Sequence, residues 1–237
     1  MATSGTTSFN PDFTEIAELA WVQAGREMRT GFDLKIARWA MNLLTIEFQN
    51  RGINMFTIEQ GTIPLVQGTS TYDLPADTID VLDHVIRTSA GVASSQADLT
   101  ISRISVSTYS SIPNKLQQAR PIQVWVQRLR DNPKITVWPT PDQGTLASPY
   151  YTFVYWRMRR IQDAGNGAET ADVNFRFYPA LVAGLAYQIS LKVPELLPRA
   201  AILKQEFEQQ FDLCAGEDRE KAAIRFVPRQ QFIGGVF

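Results

Sequence analysis

Apolar residues recur at steps of three and four in two stretches near the start of the chain, which predicts two amphipathic helices. The first covers residues 11–24, with Asn10 as its N-cap residue and Gly25 at its end. The second covers residues 30–51, where Thr30 and Asp33 approximate a capping box. One face of this helix, about five turns long, carries Leu34, Ala37, Met41, Leu44 and Phe48.

Two further helices are predicted toward the end of the chain. Residues 177–193 place Leu181, Leu185 and Ile189 on one face. Pro198 suits the first turn of a last helix, because proline lacks the N–H that this turn leaves unbonded. The buried stripe of that last helix is predicted to be Leu203, Phe207, Phe211 and Cys214.

Between the two helical pairs the period changes to two, which predicts β-strands. Turn residues divide this region into short strands that suggest an antiparallel meander or a small sandwich. The predicted strands lie at residues 57–66, 72–74, 79–88, 99–104, 122–129, 134–138 and 150–160.

The order of these elements predicts an α+β fold. Four amphipathic stripes must be buried, and the simplest solution brings both ends of the chain together as a helical bundle with an inserted antiparallel β region and an extended C-terminal tail. The predicted division is a flexible N-terminus at 1–8, a helical bundle domain at 9–52 and 165–225, a β-rich domain at 53–164, and an extended C-terminal arm at 226–237.

Composition excludes several classes of protein. The 23 basic and 24 acidic residues leave a net charge of −1, whereas a generic nucleic-acid binder is distinctly basic. One cysteine and one histidine allow neither an internal disulfide nor a classical zinc cluster, and no cofactor is expected. The N-terminus lacks signal-peptide features and no apolar run approaches a membrane span of about 20 residues, so we expect a soluble protein made in a cytoplasm.

No catalytic residue is predicted, and the protein is not expected to be an enzyme. His84 is interpreted as a polar strand residue beside Asp83, and Cys214 as a core residue of the last helix. The acidic groups that lie close together in sequence are interpreted as solvated helix faces. They are Glu15 with Glu18, and Glu217 with Asp218 and Glu220.

A basic set, Arg157, Arg159 and Arg160, ends the long aromatic strand, and the first two point to the same side of it. Together with Tyr155 and Trp156 this set could bind a single-stranded nucleic acid by stacking and charge. The favoured interpretation is a charged strand end or a salt bridge between subunits.

The C-terminal arm is the least ordinary part of the sequence. It is rich in apolar residues, while Pro228 and the pair Gly234 and Gly235 oppose a helix. The arm either folds back on its own bundle or docks in the groove of a partner. The candidate residues for binding a portal or a neighbouring subunit are Phe226, Val227, Arg229, Phe232, Ile233 and Phe237.

Six segments, in this order, resemble those of a phage virion protein family. They are YDLPADTIDVLDHVI (72–86), RPIQVWVQR (120–128), ITVWPTPD (135–142), VYWRMRRIQDAG (154–165), FYPALVAGLAYQISLK (177–192) and EDREKAAIRFVP (217–228). From about residue 9 to about residue 228 the chain is similar to the head-to-tail adaptor proteins of short-tailed phages, also called tail accessory or tail tubular proteins.

This resemblance implies a virion connector. Such adaptors form a homo-oligomeric ring, about twelve subunits in this family, below the portal protein. The ring extends the DNA channel and presents a lower surface to the tail nozzle or hub protein. DNA would pass through the lumen without specific binding, no membrane would be involved, and the ring would sit in the virion neck after assembly in the host cytoplasm.

Two other functions stay open. A peptidoglycan-cleaving activity has been proposed for some family members, but this sequence offers no motif residues on which to place it. A virion-associated peptidoglycan-degrading enzyme is therefore one alternative. A stand-alone soluble binding domain, with the arm packed on its own subunit, is the other.

Overall fold

The computed structural model describes residues 4–218, and within that range the chain has the predicted α+β fold. The helices are α1 (Phe13–Ala24), α2 (Gly31–Asn50), α3 (Val106–Ser110), α4 (Tyr178–Ser190) and α5 (Ala200–Glu217). The strands are β1 (Ile58–Pro64), β2 (Thr71–Asp73), β3 (Thr78–Thr88), β4 (Ala97–Thr100), β5 (Ser102–Arg103), β6 (Gln123–Gln127), β7 (Lys134–Trp138) and β8 (Tyr151–Arg159).

The start of α1 differs from the prediction, because Asp12 and not Asn10 is the N-cap residue. The Asp12 carboxylate accepts the Glu15 N–H at 2.8 Å, and the Glu15 carboxylate accepts the Asp12 N–H at 3.1 Å. This reciprocal box needs an acidic residue three positions after the cap, and Asn10 has Phe13 there. Asn10 instead accepts a hydrogen bond from the Tyr178 hydroxyl.

The capping box predicted from Thr30 and Asp33 is confirmed at the start of α2. The Thr30 hydroxyl accepts the Asp33 N–H at 3.3 Å, and the Asp33 carboxylate accepts the Thr30 N–H at 3.3 Å. Arg26 also donates to Asp33, at 3.2 Å. Burial raises the pKa of Asp33, but bonds from the Arg29 and Thr30 N–H groups and the charge of Arg26 outweigh it, so the net shift is downward.

Removing this cap should destabilise the protein modestly. We expect Thr30→Ala to lower the free energy of unfolding by about 1 kcal/mol, because the Asp33 N–H loses its partner. Thr30→Ser retains the hydroxyl and is the matched control. Urea denaturation followed by circular dichroism measures both variants, and an equal loss for alanine and serine would contradict the capping role.

The last helix begins later than predicted. Pro198 lies in a 3₁₀ helix, Pro194–Arg199, and α5 begins only at Ala200. The Ala200 N–H still bonds the Leu197 carbonyl in the tighter three-residue pattern, so the α-helical ladder starts after it.

The strands form two four-stranded sheets rather than a meander. One sheet has the order β1-β8-β3-β4 and the other β2-β7-β6-β5. All pairs are antiparallel except β5 with β6, which is parallel, so the wholly antiparallel region that we predicted is wrong in that detail. The single strand predicted at 99–104 is divided between the sheets as β4 and β5.

The core of the β region lies between the two sheets, as the sandwich alternative predicted. Buried side chains of both sheets belong to one hydrophobic cluster. They include Val81, Ile86, Phe153 and Tyr155 from the first sheet, and Val124, Val126, Ile135 and Val137 from the second.

The helical core is separate and combines both ends of the chain. Helix α4 is its centre, with α1, α2 and α5 packed around it and most of its side chains buried. The buried stripes predicted for α2 and α5 are confirmed, with Leu34 only partly buried. A Cβ on Gly184 of α4 would lie 2.8 Å from Leu44 Cδ1 and 2.8 Å from a ring carbon of Phe207, so the packing leaves no room for a side chain at this residue.

Candidate interaction surfaces

Helix α2 carries a second apolar stripe that residues 4–218 leave largely exposed. Phe32 and Trp39 are 68% and 64% exposed, and Leu43 and Ile46 continue the row. With Ile36, which is partly buried against the helical core, they are spaced by four, three, four and three residues, which places them on one face of α2 outside its buried stripe. We call these five residues the α2 ridge. Monomeric proteins rarely expose an apolar row of this length.

A basic margin borders the α2 ridge. Lys35 is exposed one turn from Phe32 and Trp39, and it forms no ion pair with any residue in the described range. Arg38, also exposed, donates its Nε–H to the Ala164 carbonyl at 3.2 Å, and its positive charge remains at the surface.

A second apolar surface runs along the outer face of α1. Phe9, Leu19 and Val22 are exposed there, Leu19 by 54%. Two open clefts of about 430 and 400 Å³ adjoin this surface. We call it the α1 groove, and its lining used below comprises Phe9, Leu19, Val22, Tyr178, Val182 and Glu206.

The α1 groove has an acidic margin. Glu15 and Glu18 line one cleft and Glu206 the other. Glu15 also closes the capping box of α1, whereas Glu18 has no ion pair within residues 4–218. The two exposed apolar surfaces of the bundle therefore carry margins of opposite charge.

Arg157 is buried in an ion-pair cluster at the end of β8. Its guanidinium is 2.5 Å from an Asp77 carboxylate oxygen and 3.0 Å from one of Glu59, and it also donates to the Thr78 hydroxyl at 2.9 Å. Arg159 pairs with the same Glu59 at 2.6 Å. The placement of both arginines on one side of the strand is thus confirmed.

Arg159 joins the β region to the helical region. It pairs with Asp172, in the segment that leads to α4, while its own carbonyl accepts a hydrogen bond from Gln49 of α2 at 3.1 Å. Burial raises the pKa of Asp172, but bonds from Arg159 and from the Gln162 N–H outweigh it, and the pKa lies below its usual range. The cluster therefore holds its charges inside one chain.

These contacts decide between the interpretations of the basic set. Arg157 and Arg159 are satisfied by acidic residues of their own subunit, so neither offers a free guanidinium to nucleic acid or to another subunit. Arg160, which is exposed, pairs with Asp163 at 2.7 Å. The favoured interpretation of a charged strand end is therefore confirmed. The salt bridges of Arg157 and Arg159 lie within one subunit rather than between subunits.

Cys214 is packed in the core and His84 lies in a strand, β3, as expected, but His84 is also buried. The His84 ring stacks on Phe153 with centroids 5.8 Å apart, and burial lowers its pKa although the Asp83 carboxylate opposes the shift. Cys214 is buried on the α5 stripe and its thiol donates to the Arg176 carbonyl at 3.1 Å. Burial raises the pKa of this thiol, which makes it a poor nucleophile at neutral pH.

Near the end of α5, Glu217 is exposed as predicted, whereas Asp218 is partly buried. Glu217 pairs with Arg176 at 2.6 Å, and the Asp218 carboxylate accepts the Asn54 N–H at 3.0 Å. Glu220 lies outside the described residues. In the described range no three metal-binding side chains come together, and no helix there could cross a membrane.

The predicted binding residues of the C-terminal arm, from Phe226 to Phe237, lie outside the described residues. The described chain ends at Asp218, beside the end of α2. The α2 ridge and the α1 groove were missed by the sequence analysis. A signal for the ridge was present, because α2 has a second apolar row with helical spacing.

The comparisons with known proteins agree with the resemblance given above. The family model described as SU10 adaptor protein matches residues 13–228 of the chain. This range contains every helix and strand found in residues 4–218, the whole α2 ridge, and the α1 groove apart from Phe9. No curated protein matches the chain.

Proposed function

Because the chain belongs to the SU10 adaptor protein family, a family of phage head-to-tail adaptors, we propose that it forms a ring below the portal that extends the DNA channel and attaches the tail nozzle or hub. The family match is the observation that carries this proposal. The proposed location is the neck of the virion, after assembly in the host cytoplasm. The ring is a homo-oligomer, and the resemblance favours a dodecamer.

The exposed apolar surfaces support an assembled state. The α2 ridge and the α1 groove give the bundle two apolar faces, as expected of a subunit that buries them against other molecules. The separate cores support a division into a helical domain (9–52 and 165–225) and a β-rich domain (53–164).

A structural rather than enzymatic role is proposed. His84 and Cys214 are packed as core residues, and the acidic groups of the β8 cluster are engaged by arginines. The near-neutral net charge of −1 and the internal pairing of Arg157 and Arg159 suit a channel through which DNA passes without specific binding.

The C-terminal arm is proposed to dock on the portal or on a neighbouring subunit. Its anchors would be Phe226, Val227, Phe232, Ile233 and Phe237, with Arg229 beside them. An arm that orders only on binding would keep free subunits soluble until the portal is present.

Deleting residues 229–237 tests the arm. We expect a folded chain that no longer assembles on portal rings, measured by native mass spectrometry of the protein alone and mixed with the portal of the same phage. The matched pair is Phe232→Ser with Ile233→Ser, expected to fail, against Gln230→Ala with Gln231→Ala, expected to assemble. Normal assembly of the deletion would contradict the arm's role, and no binding by the full chain would contradict the adaptor function.

A further inference from the structure

We propose that the α2 ridge of one subunit seats in the α1 groove of a second copy of this chain. This inference rests on the proposed function, and it names the two surfaces that would close the ring. Each subunit would offer its ridge to one neighbour and its groove to the other.

The positions of the two surfaces suit a ring. Both α1 and α2 pack their buried faces on α4, so each helix turns a different apolar surface, the groove or the ridge, away from the helical core. A head-to-tail contact requires two different, complementary patches on each subunit, and repetition of that contact closes a ring. A two-fold contact would instead join a patch to itself.

Charge favours ridge with groove over ridge with ridge. Lys35 and Arg38 border the ridge, whereas Glu15, Glu18 and Glu206 border the groove. Two ridges placed together would bring like charges close, while the head-to-tail pair places opposite charges along the same margins. Lys35 and Glu18 have no ion-pair partner within the described part of their own subunit.

The shapes of the two surfaces also favour pairing of the α2 ridge with the α1 groove. The ridge is a convex row with Trp39 at its centre, and the groove offers two adjoining clefts of about 430 and 400 Å³. A large aromatic side chain that enters an apolar cleft is the usual energetic centre of a protein interface. The groove supplies Leu19, Tyr178 and Val182 for such a contact.

The C-terminal segment of the chain is the competing occupant of the groove. Residues 219–237, about 60 Å if fully extended, are long enough to reach it from Asp218. That arrangement would cover the groove but leave the α2 ridge exposed. A second copy covers both surfaces with one repeated contact, so we commit to the second copy.

A charged substitution in each surface tests the contact between ridge and groove. Trp39→Glu places a negative charge on the ridge that would face the acidic groove, and Leu19→Lys places a positive charge in the groove that would face the basic ridge. Each full-length variant should need about 30-fold more protein for half assembly, the loss expected for a central anchor. Leu146→Glu, at a 73% exposed loop position of the β region, is the control and should assemble normally. Native mass spectrometry across a dilution series, with and without portal rings, measures this.

Mixing the two variants tests the direction of the contact. At concentrations where the wild type assembles, each alone should stay monomeric, but together they retain one intact ridge and one intact groove, so a one-to-one heterodimer is expected. Growth beyond the heterodimer would require the mutated ridge of Trp39→Glu to pair with the mutated groove of Leu19→Lys. Leu19→Lys assembling like the wild type while Trp39→Glu fails would overturn the head-to-tail contact. Normal assembly of Trp39→Glu would overturn the proposal altogether.

Cross-linking identifies the occupant directly. A benzophenone amino acid replacing Trp39, in a mixture of ¹⁴N- and ¹⁵N-labelled chains with portal rings, should link differently labelled copies, with the partner site in residues 9–22 or 175–182. Links only to the portal, links to residues 219–237, or no link between copies would overturn it. If the wild type still binds the portal in that case, the ridge-to-groove contact is wrong but the adaptor function stands. If copies cross-link but the wild type does not bind the portal, the contact stands and the adaptor function is wrong.

Discussion

Replacing Phe207 by alanine should lower the free energy of unfolding by about 3 to 5 kcal/mol, the range for deleting a buried aromatic ring. Phe207 is 1% exposed at the centre of the helical core. Its ring stacks near Phe48 with centroids 6.3 Å apart and contacts Tyr187 and Phe211. The Arg51 guanidinium lies 5.2 Å from the ring centroid.

The loss should be large because the surrounding helices cannot close the cavity. Gly184 faces the Phe207 ring and has no side chain that could fill the space the ring leaves, so closing the cavity requires α4 or α5 itself to move. Leu213→Ala is the matched control, since Leu213 lies on the same helix and is exposed, and we expect a change of less than about 0.5 kcal/mol. Urea denaturation followed by far-ultraviolet circular dichroism measures both, and similar losses for the two variants would contradict the assigned packing.

Local periodicity was enough to predict the four long helices and several strands. The stripe of α2 follows from spacing within one element, and the strand predicted at 134–138 coincides with β7. Such patterns depend only on which face of a helix or strand is buried. Asn10 shows the limit at a boundary, because Asn10 and Asp12 have similar capping ability and only the acidic residue three positions after Asp12 distinguishes them.

Strand order could not be predicted in the same way. β8, the last strand in sequence, lies between β1 and β3, and the short break between β4 and β5 sends them to different sheets. These pairings join residues up to a hundred positions apart, such as Ile58 with Met158. No local pattern specifies which of several similar strands will become neighbours.

The interaction surfaces show a different limit. The sequence contains both apolar rows of α2, but periodicity alone does not tell which row the subunit buries itself and which it leaves outside. The ion-pair cluster was missed for a related reason. Arg157 was noticed as part of a basic set, while its acidic partners Glu59 and Asp77 lie on other strands and loops far away in sequence.

Arg157→Met should lower the free energy of unfolding by about 2 to 3 kcal/mol at neutral pH. Removing one member of a buried ion pair leaves its partners uncompensated, which costs about 3 to 5 kcal/mol when all are buried. The carboxylates of Asp77 and Glu59 are 46% and 43% exposed, so water replaces part of the lost interaction and the expected value is smaller.

Two further substitutions separate charge from size. Arg157→Lys retains the positive charge but loses the fork that reaches Asp77, Glu59 and the Thr78 hydroxyl together, so an intermediate loss is expected. Arg160→Met removes an exposed pair with Asp163 from the same strand end, and we expect less than about 1 kcal/mol.

The cost of Arg157→Met should depend on pH. The hydrogen bond from Arg157 holds the pKa of Asp77 below its usual range although burial opposes this. A lowered folded-state pKa stabilises the protein above the unfolded value of about 3.9, and this contribution disappears as the pH falls through the folded value. The difference between wild type and Arg157→Met should therefore be largest near pH 7 and shrink below about pH 4. Denaturation at several pH values measures this difference, and a constant difference would assign the loss to packing of the arginine stem instead of its charge.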